Sequence, residues 1–178
     1  MHAVRGIYTK TRLEKGEYLD LHNIPLGDPG LLCSKLFTDL DMTKEYEWGI
    51  IPHYIDKGDP LLNKLKLPNS IVLDIQEKPE TFIKKLVKCK KVISSAMHGL
   101  IAADSFCIPS IRMIVGDKIK GGDYKYNDYY SVFGIEKHNK LDLRTISDDI
   151  TELNFKYTIT PEKVNKIQKD LIESFPYA

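Results

Sequence analysis

The sequence predicts a Rossmann-like α/β domain: a parallel sheet with helices on both faces. Three observations lead there. Short apolar runs rich in β-branched residues recur along the chain, segments of helical period separate them, and turn residues mark the joins. Strand–helix alternation of this kind implies right-handed βαβ crossovers and hence a parallel sheet. The chain has 178 residues, a length that suits one domain over residues 1–178 with a sizeable core.

Taken in order, Gly6–Lys15 reads as a helix and Leu26-Gly27-Asp28-Pro29-Gly30 as a turn cluster. Trp48–Tyr54 reads as a buried strand, Pro60–Leu67 as a helix and Ser70–Ile75 as a second strand. Pro79–Cys89 reads as a helix, because proline is pre-set for a first turn and Glu80 suits the positive end of the dipole. There Phe82, Ile83, Leu86 and Val87 share one face, leaving Lys84, Lys85 and Lys88 to a solvated one. Lys91–Ser95 and Ser110–Val115 read as strands, with a helix at Met97–Cys107 between them. A polar, glycine-containing, tyrosine-rich stretch reaches Gly134 and reads as a loop, and a last helix spans Thr160–Phe175 behind the start signals Thr160, Pro161 and Glu162. No internal repeat or low-complexity segment interrupts this order.

Composition narrows the function classes. Lysine plus arginine number 26 against 25 acidic residues, so the chain lacks the basic excess of a nucleic-acid surface. The three cysteines, Cys33, Cys89 and Cys107, are unclustered, which suggests neither a zinc site nor a disulfide framework and points to a reducing compartment. The N-terminus lacks the apolar core of a signal peptide, and no run of 18 apolar residues occurs. A cytoplasmic protein is expected, with peripheral contact at the inner face of a membrane left open.

In open parallel sheets ligands bind beyond the carboxyl ends of the strands. That rule selects Pro52-His53-Tyr54, the segment after Ile75, Ser94–Gly99 and the region after Val115. The third is the most informative: a strand ends in Ser94-Ser95 and a helix begins near Met97, so free backbone N–H groups and two hydroxyls meet there. His98 falls in the first helical turn, and histidine is the side chain suited to proton transfer near neutral pH. The plainer reading has Ser95 as a helix cap and His98 as a satisfied polar residue. Turn chemistry alone explains Asp28, and His2, His22 and His138 read as surface residues.

Five segments in order carry a resemblance: Val4-Arg5-Gly6, Leu26–Leu32, Gly49–Tyr54, Val92–Asp104 and Gly121–Tyr130. Together they resemble the polysaccharide pyruvyltransferase family over roughly residues 3–135. The resemblance implies the second lobe of a two-lobed, GT-B-like fold, with the first lobe absent here or supplied by a second chain. It also implies transfer of a pyruvyl group from phosphoenolpyruvate to a pair of sugar hydroxyls, forming a ketal on an exopolysaccharide or cell-wall glycan. The partners implied are phosphoenolpyruvate and a sugar or lipid-linked glycan, with no cofactor or metal. His98 becomes the candidate acid. Arg5 is the candidate clamp for donor phosphate or carboxylate, Ser94 and Ser95 are further donor contacts, and His53 is a second proton-transfer candidate. Lys125, Asp128, Tyr129 and Tyr130 are candidates for a sugar-binding surface, against the alternative of a loop packed by its own aromatics.

Two departures stand out. Some members carry arginine where this chain has Ala96, and commonly leucine where it has Met97, so another cation, Arg5 or Lys125, must grip the donor. Two other readings compete: a GT-B glycosyltransferase or epimerase lobe binding a nucleotide sugar, and a non-catalytic lobe that partners another chain. Against the first, no glycine-rich GxGxxG loop is present.

Overall fold

A computed structural model describes residues 2–17 and 20–176. Five strands form one parallel sheet: β1 (Tyr46–Ile51), β2 (Ser70–Val72), β3 (Cys89–Ser94), β4 (Ser110–Ile114) and β5 (Lys140–Asp142), in the order β2-β1-β3-β4-β5. All four pairings are parallel, with Ile50 opposite both Val72 and Ile93, and Ser94 opposite Arg112. Helices α3 (Pro79–Leu86), α4 (Met97–Ser105) and α5 (Gly122–Ser131) connect successive strands; α1 (Ile7–Glu17), the short α2 (Cys33–Leu36) and α6 (Pro161–Glu173) complete the set. The α/β class expected from the alternation is what forms.

Alternation along the central strands divides the core. Trp48 and Ile50 of β1, Ile93 of β3 and Met113 of β4 pack on one side of the sheet with Leu65, Leu67, Leu143 and Ile150. Ile51 and Val92 face the other way, onto Phe82, Ile83 and Leu86 of α3 and Ala102 and Ala103 of α4. A third cluster lies outside α4, where Leu100 and Ile101 meet Tyr126, Tyr129 and Tyr130 of α5 and Ile167 and Leu171 of α6. Each fully buried aliphatic side chain contributes about 1.5–3 kcal/mol of transfer free energy, and these three clusters bind the layers together.

Several boundaries differ from the sequence reading. Pro60–Leu67 is a 3-10 turn over Pro60–Lys64, capped by Asp59. Leu67 precedes Pro68, whose ring disfavours the α region for the residue before it, so a helix cannot continue there. That side of the sheet is therefore covered by this turn, a second one at Leu143–Thr145 and the chain around Ile150, rather than by long helices. The tyrosine-rich stretch expected as a loop is helix α5. Strand β5, three residues of Lys-Leu-Asp, was not anticipated. No helix among the described residues is long and apolar enough to cross a membrane.

Candidate functional site

The chain runs from β1 outward to β2 and then returns to the other side of β1 with β3, so the topology reverses between β1 and β3. In doubly wound sheets the crevice outside the carboxyl ends at this reversal is where ligands bind. Two sequence candidates fall there: His53, just past β1, and the Ser94–Gly99 turn between β3 and α4.

The turn is fixed by its own serines. Ser94 Oγ lies 2.9 Å from the carbonyl oxygens of Ile51 and Ala96 and accepts from Ala96 N at 3.0 Å. Ser95 Oγ donates to Asp56 Oδ2 at 2.6 Å and accepts from His53 N at 2.8 Å. Tyr126 donates its hydroxyl to the Ser95 carbonyl at 3.0 Å. Both serines are buried, so the expectation that their hydroxyls face a ligand is corrected: they join the β1 and β3 loops. Ala96, not Ser95, is the residue that caps α4, and its side chain makes no capping bond. Beyond the serines lie the exposed imidazole of His98 and the N-terminus of α4, where Met97 N and His98 N make no hydrogen bond among the described residues while Gly99 N turns back to the Ala96 carbonyl at 3.1 Å. Gly99 lets α4 start this close to the sheet, since a Cβ there would lie 2.6 Å from Ser94 Oγ and 3.0 Å from Ile51 Cγ2.

His53 is half-buried, its ring centroid 4.4 Å from that of Tyr54 and its Nδ1 accepting from Ile55 N at 3.3 Å. Burial holds its pKa below the ordinary histidine value; Asp56 pulls the other way, and Lys125 adds to the lowering. Lys125 of α5 is also shifted down, first by burial and then by the like charges of Arg112 and Arg5. Arg112, 6% exposed, donates to Asp123 at 2.6 Å and stacks over the Tyr126 ring at 3.7 Å. Arg5 donates from Nε to Asp128 at 3.1 Å, and the terminal nitrogens of its fork make no hydrogen bond among the described residues. Lys125 forms no ion pair among the described residues and rests 5.2 Å over Tyr126. Lys125 thus sits between Arg5 and Arg112, each paired with an aspartate, and is the member of this cation cluster whose charge also acts on His53.

Other sequence candidates move away from the crevice. Asp128 is fully buried and accepts from Thr9 N at 2.8 Å and Thr9 Oγ1 at 2.6 Å as well as from Arg5, so it anchors α1 rather than facing a ligand. Tyr129 and Tyr130 sit in the core, and Tyr129 donates its hydroxyl to Asp104 at 2.9 Å. Of the two readings offered for this group, aromatic packing rather than a sugar-binding surface therefore describes Tyr129 and Tyr130, while Lys125 and, as the buried partner of Arg5, Asp128 reach the cation cluster. Asp28 caps the 3-10 turn Pro29–Leu32 by accepting from Gly30 N, as turn chemistry suggested. His138, expected on the surface, is half-buried: it stacks on Tyr130 at 5.0 Å and accepts from Arg112 at 3.3 Å through Nε2. Burial and the Arg112 charge depress its pKa to about 4.

Arg112, Asp56 and Asp123 are site residues that local patterns did not reveal. A cavity of about 380 Å³ opens beyond β4, lined by Arg112, Gly121, Gly122, Asp123 and Tyr126. A larger groove of about 690 Å³, between the His22–Leu26 segment and α6, lies away from the strand ends. Among the described residues no cluster of side chains suits a metal ion.

Comparison with known proteins shows the family of the chain. The chain is 38% identical over 159 residues to the uncharacterized protein L143 of Acanthamoeba polyphaga mimivirus, a match covering 86% of the chain and 55% of that relative. The chain thus spans about half the length of the relative it matches. No solved structure gives a significant match. The family description "Polysaccharide pyruvyl transferase" matches residues 1–117, from the Arg5 segment through β1, β3, α4 and β4, and on these grounds the chain belongs to the polysaccharide pyruvyl transferase family.

Proposed function

We propose that this chain takes part in transferring a pyruvyl group from phosphoenolpyruvate to two hydroxyls of a sugar in polysaccharide biosynthesis. Family membership supports the reaction class. The observation that carries the residue assignment is Lys125, a partly desolvated cation with no acidic partner among the described residues, held beside Arg5, Arg112 and His53. A lysine in that position gains most from an anionic ligand, and phosphoenolpyruvate brings both a phosphate and a carboxylate. The free fork of Arg5 suits two-point contact with either group, and the first turn of α4 adds N–H dipoles.

The chemistry then assigns roles. His98, protonated, delivers a proton to the methylene carbon of the donor, and the adjacent carbon becomes oxocarbenium-like. One sugar hydroxyl attacks that carbon and gives up its proton, restoring the acid. The second hydroxyl displaces phosphate, and its proton leaves with the phosphate oxygen. The products are a methyl ketal carrying the carboxylate, and inorganic phosphate. His53, whose pKa burial lowers, is the candidate first acceptor of the attacking hydroxyl's proton, which then returns to His98 through solvent so that the acid is restored.

Thermal unfolding with phosphoenolpyruvate, inorganic phosphate and a UDP-sugar tests the reading, since binding to the folded state raises stability. Stabilisation by phosphoenolpyruvate that is lost in Lys125→Ala is expected. Stabilisation by the UDP-sugar alone would instead favour a nucleotide-sugar lobe.

A further inference from the structure

We infer that Tyr8 of α1 and Tyr124 of α5 form a shelf for the pyranose ring of a glycan, which, if the pyruvyl-transfer reading holds, is the acceptor. The two rings are 43% and 44% exposed, their centroids 6.4 Å apart and their planes inclined by 41°. Ile7, 45% exposed, extends the apolar surface. The three border a hollow of about 850 Å³ that Thr11, Arg12 and Asn127 also line. Elsewhere on α5 the tyrosines are spent on the core: Tyr126, Tyr129 and Tyr130 are all buried. Tyr124 is the one directed outward, so its exposure does not follow from packing.

The chemistry of the shelf matches a sugar ring. A pyranose presents an apolar C–H face and a rim of hydroxyls, and tyrosine presents an apolar face with a polar tip. Thr11, Arg12 and Asn127 add hydrogen-bonding groups whose side chains form no hydrogen bond among the described residues. A stable protein partner would need about 20–30 residues on each side. Here three apolar side chains are rimmed at once by Arg12 and Lys15, an area scaled to one or two sugar rings.

Position connects the shelf to the cation cluster. Tyr8 lies three residues past Arg5, and Tyr124 directly precedes Lys125. The two helices are locked where they cross: Asp128 accepts from Thr9 N, and Ser131 Oγ accepts from Ile7 N at 2.9 Å. Gly6 lies so close that a Cβ would be 1.8 Å from the Asp128 carbonyl oxygen. The shelf is therefore a rigid neighbour of the crevice.

Saturation-transfer NMR on the whole chain with the methyl glycosides of galactose, glucose and mannose tests this directly. Transfer to ring protons of at least one glycoside is expected, lost in Tyr8→Ala/Tyr124→Ala and kept in Tyr8→Phe/Tyr124→Phe. Should the alanine pair disturb folding by circular dichroism, Tyr8→Leu/Tyr124→Leu keeps apolar bulk without the aromatic face and is expected to lose transfer as well. No transfer from any glycoside, or transfer that survives the alanine or leucine pair, overturns the assignment. So does a shift from oligomer to monomer on substitution without glycoside binding, which would mark a protein contact. Phosphoenolpyruvate stabilisation is measured separately: its absence alongside positive glycoside transfer would remove the pyruvyl reading and leave the shelf.

Discussion

Ser95 Oγ donates a 2.6 Å hydrogen bond to Asp56 Oδ2, and the pair ties the loop after β1 to the loop after β3 across the reversal point of the sheet. Both residues are almost fully buried, at 1% and 2% exposure. The same hydroxyl accepts from His53 N, so one serine sets the spacing between the His53 loop and the start of α4. Removing either partner strands the other in a buried site, at a cost of about 1–3 kcal/mol. Asp56→Ala and Ser95→Ala should each lower the urea midpoint, and the double variant should lose less than the sum of the two. Strictly additive losses would mean that the two side chains act independently.

Lys125 predicts the pH dependence of anion binding. Burial and the neighbouring arginines hold its pKa below the ordinary lysine value. Deprotonation removes the charge, so affinity for phosphoenolpyruvate should fall with rising pH earlier than for a site built on an exposed lysine. Lys125→Arg should keep binding to higher pH, since a guanidinium stays charged. Titration calorimetry across the alkaline range reads both effects; a pH-independent affinity in the native protein would exclude Lys125 as the anion's contact.

Much of this was legible from local pattern, and the rest was not for identifiable reasons. The carboxyl halves of β1 and β3 and most of β4 are buried on both faces, which forces short apolar runs such as Trp48–Ile51 and Val92-Ile93, and the site rule then led from their ends to His53 and Ser94–Gly99. Helix α5 was masked by Gly121-Gly122 and four tyrosines, yet Tyr126, Tyr129, Tyr130 and Phe133 lie at helical spacing and all enter one core cluster. Asp56, Arg112 and Asp123 could not be found locally. Their meaning lies in partners such as Ser95, 39 residues away, and His138, 26 residues away. Tyr129 and Tyr130, which the sequence left open between a sugar surface and aromatic packing, are core because helix periodicity, not residue type, decides which face is exposed.

Gly6 predicts a backbone effect beside the crevice. A Cβ there would lie 1.8 Å from a backbone oxygen, Asp128 O, which cannot yield as a flexible side chain would. Gly6→Ala should therefore force α1 away from α5 and release Arg5 from Asp128. Overpacking of this kind costs typically about 1–3 kcal/mol, and the upper end is expected. Hydrogen exchange should show loss of protection concentrated in α1 and the adjoining turn of α5; protection equal to that of the native protein would contradict the close approach.

Asp104 and His138 should make opposite contributions to stability across one pH window. Asp104 is fully buried, and desolvation raises its pKa to about 7, even though Ser110, Tyr129 and Tyr157 donate hydrogen bonds to its carboxylate. The folded state therefore holds a proton that the unfolded chain has released, so this group's contribution falls as pH rises from near 4 to about 7. His138 runs the other way. Its folded pKa is about 4, below the ordinary histidine value, so between there and about 6.5 the unfolded state binds the extra proton and stability rises with pH. With both present the slopes offset, and the native protein should show a shallow profile between pH 4 and 6.5. His138→Phe should expose a decline approaching about 1.4 kcal/mol per pH unit, the limit for one proton. Asp104→Asn should leave a rise through the same window. Denaturant melts at half-unit pH steps separate the two slopes, and parallel profiles for the native protein and both variants would show that neither group titrates as its burial demands.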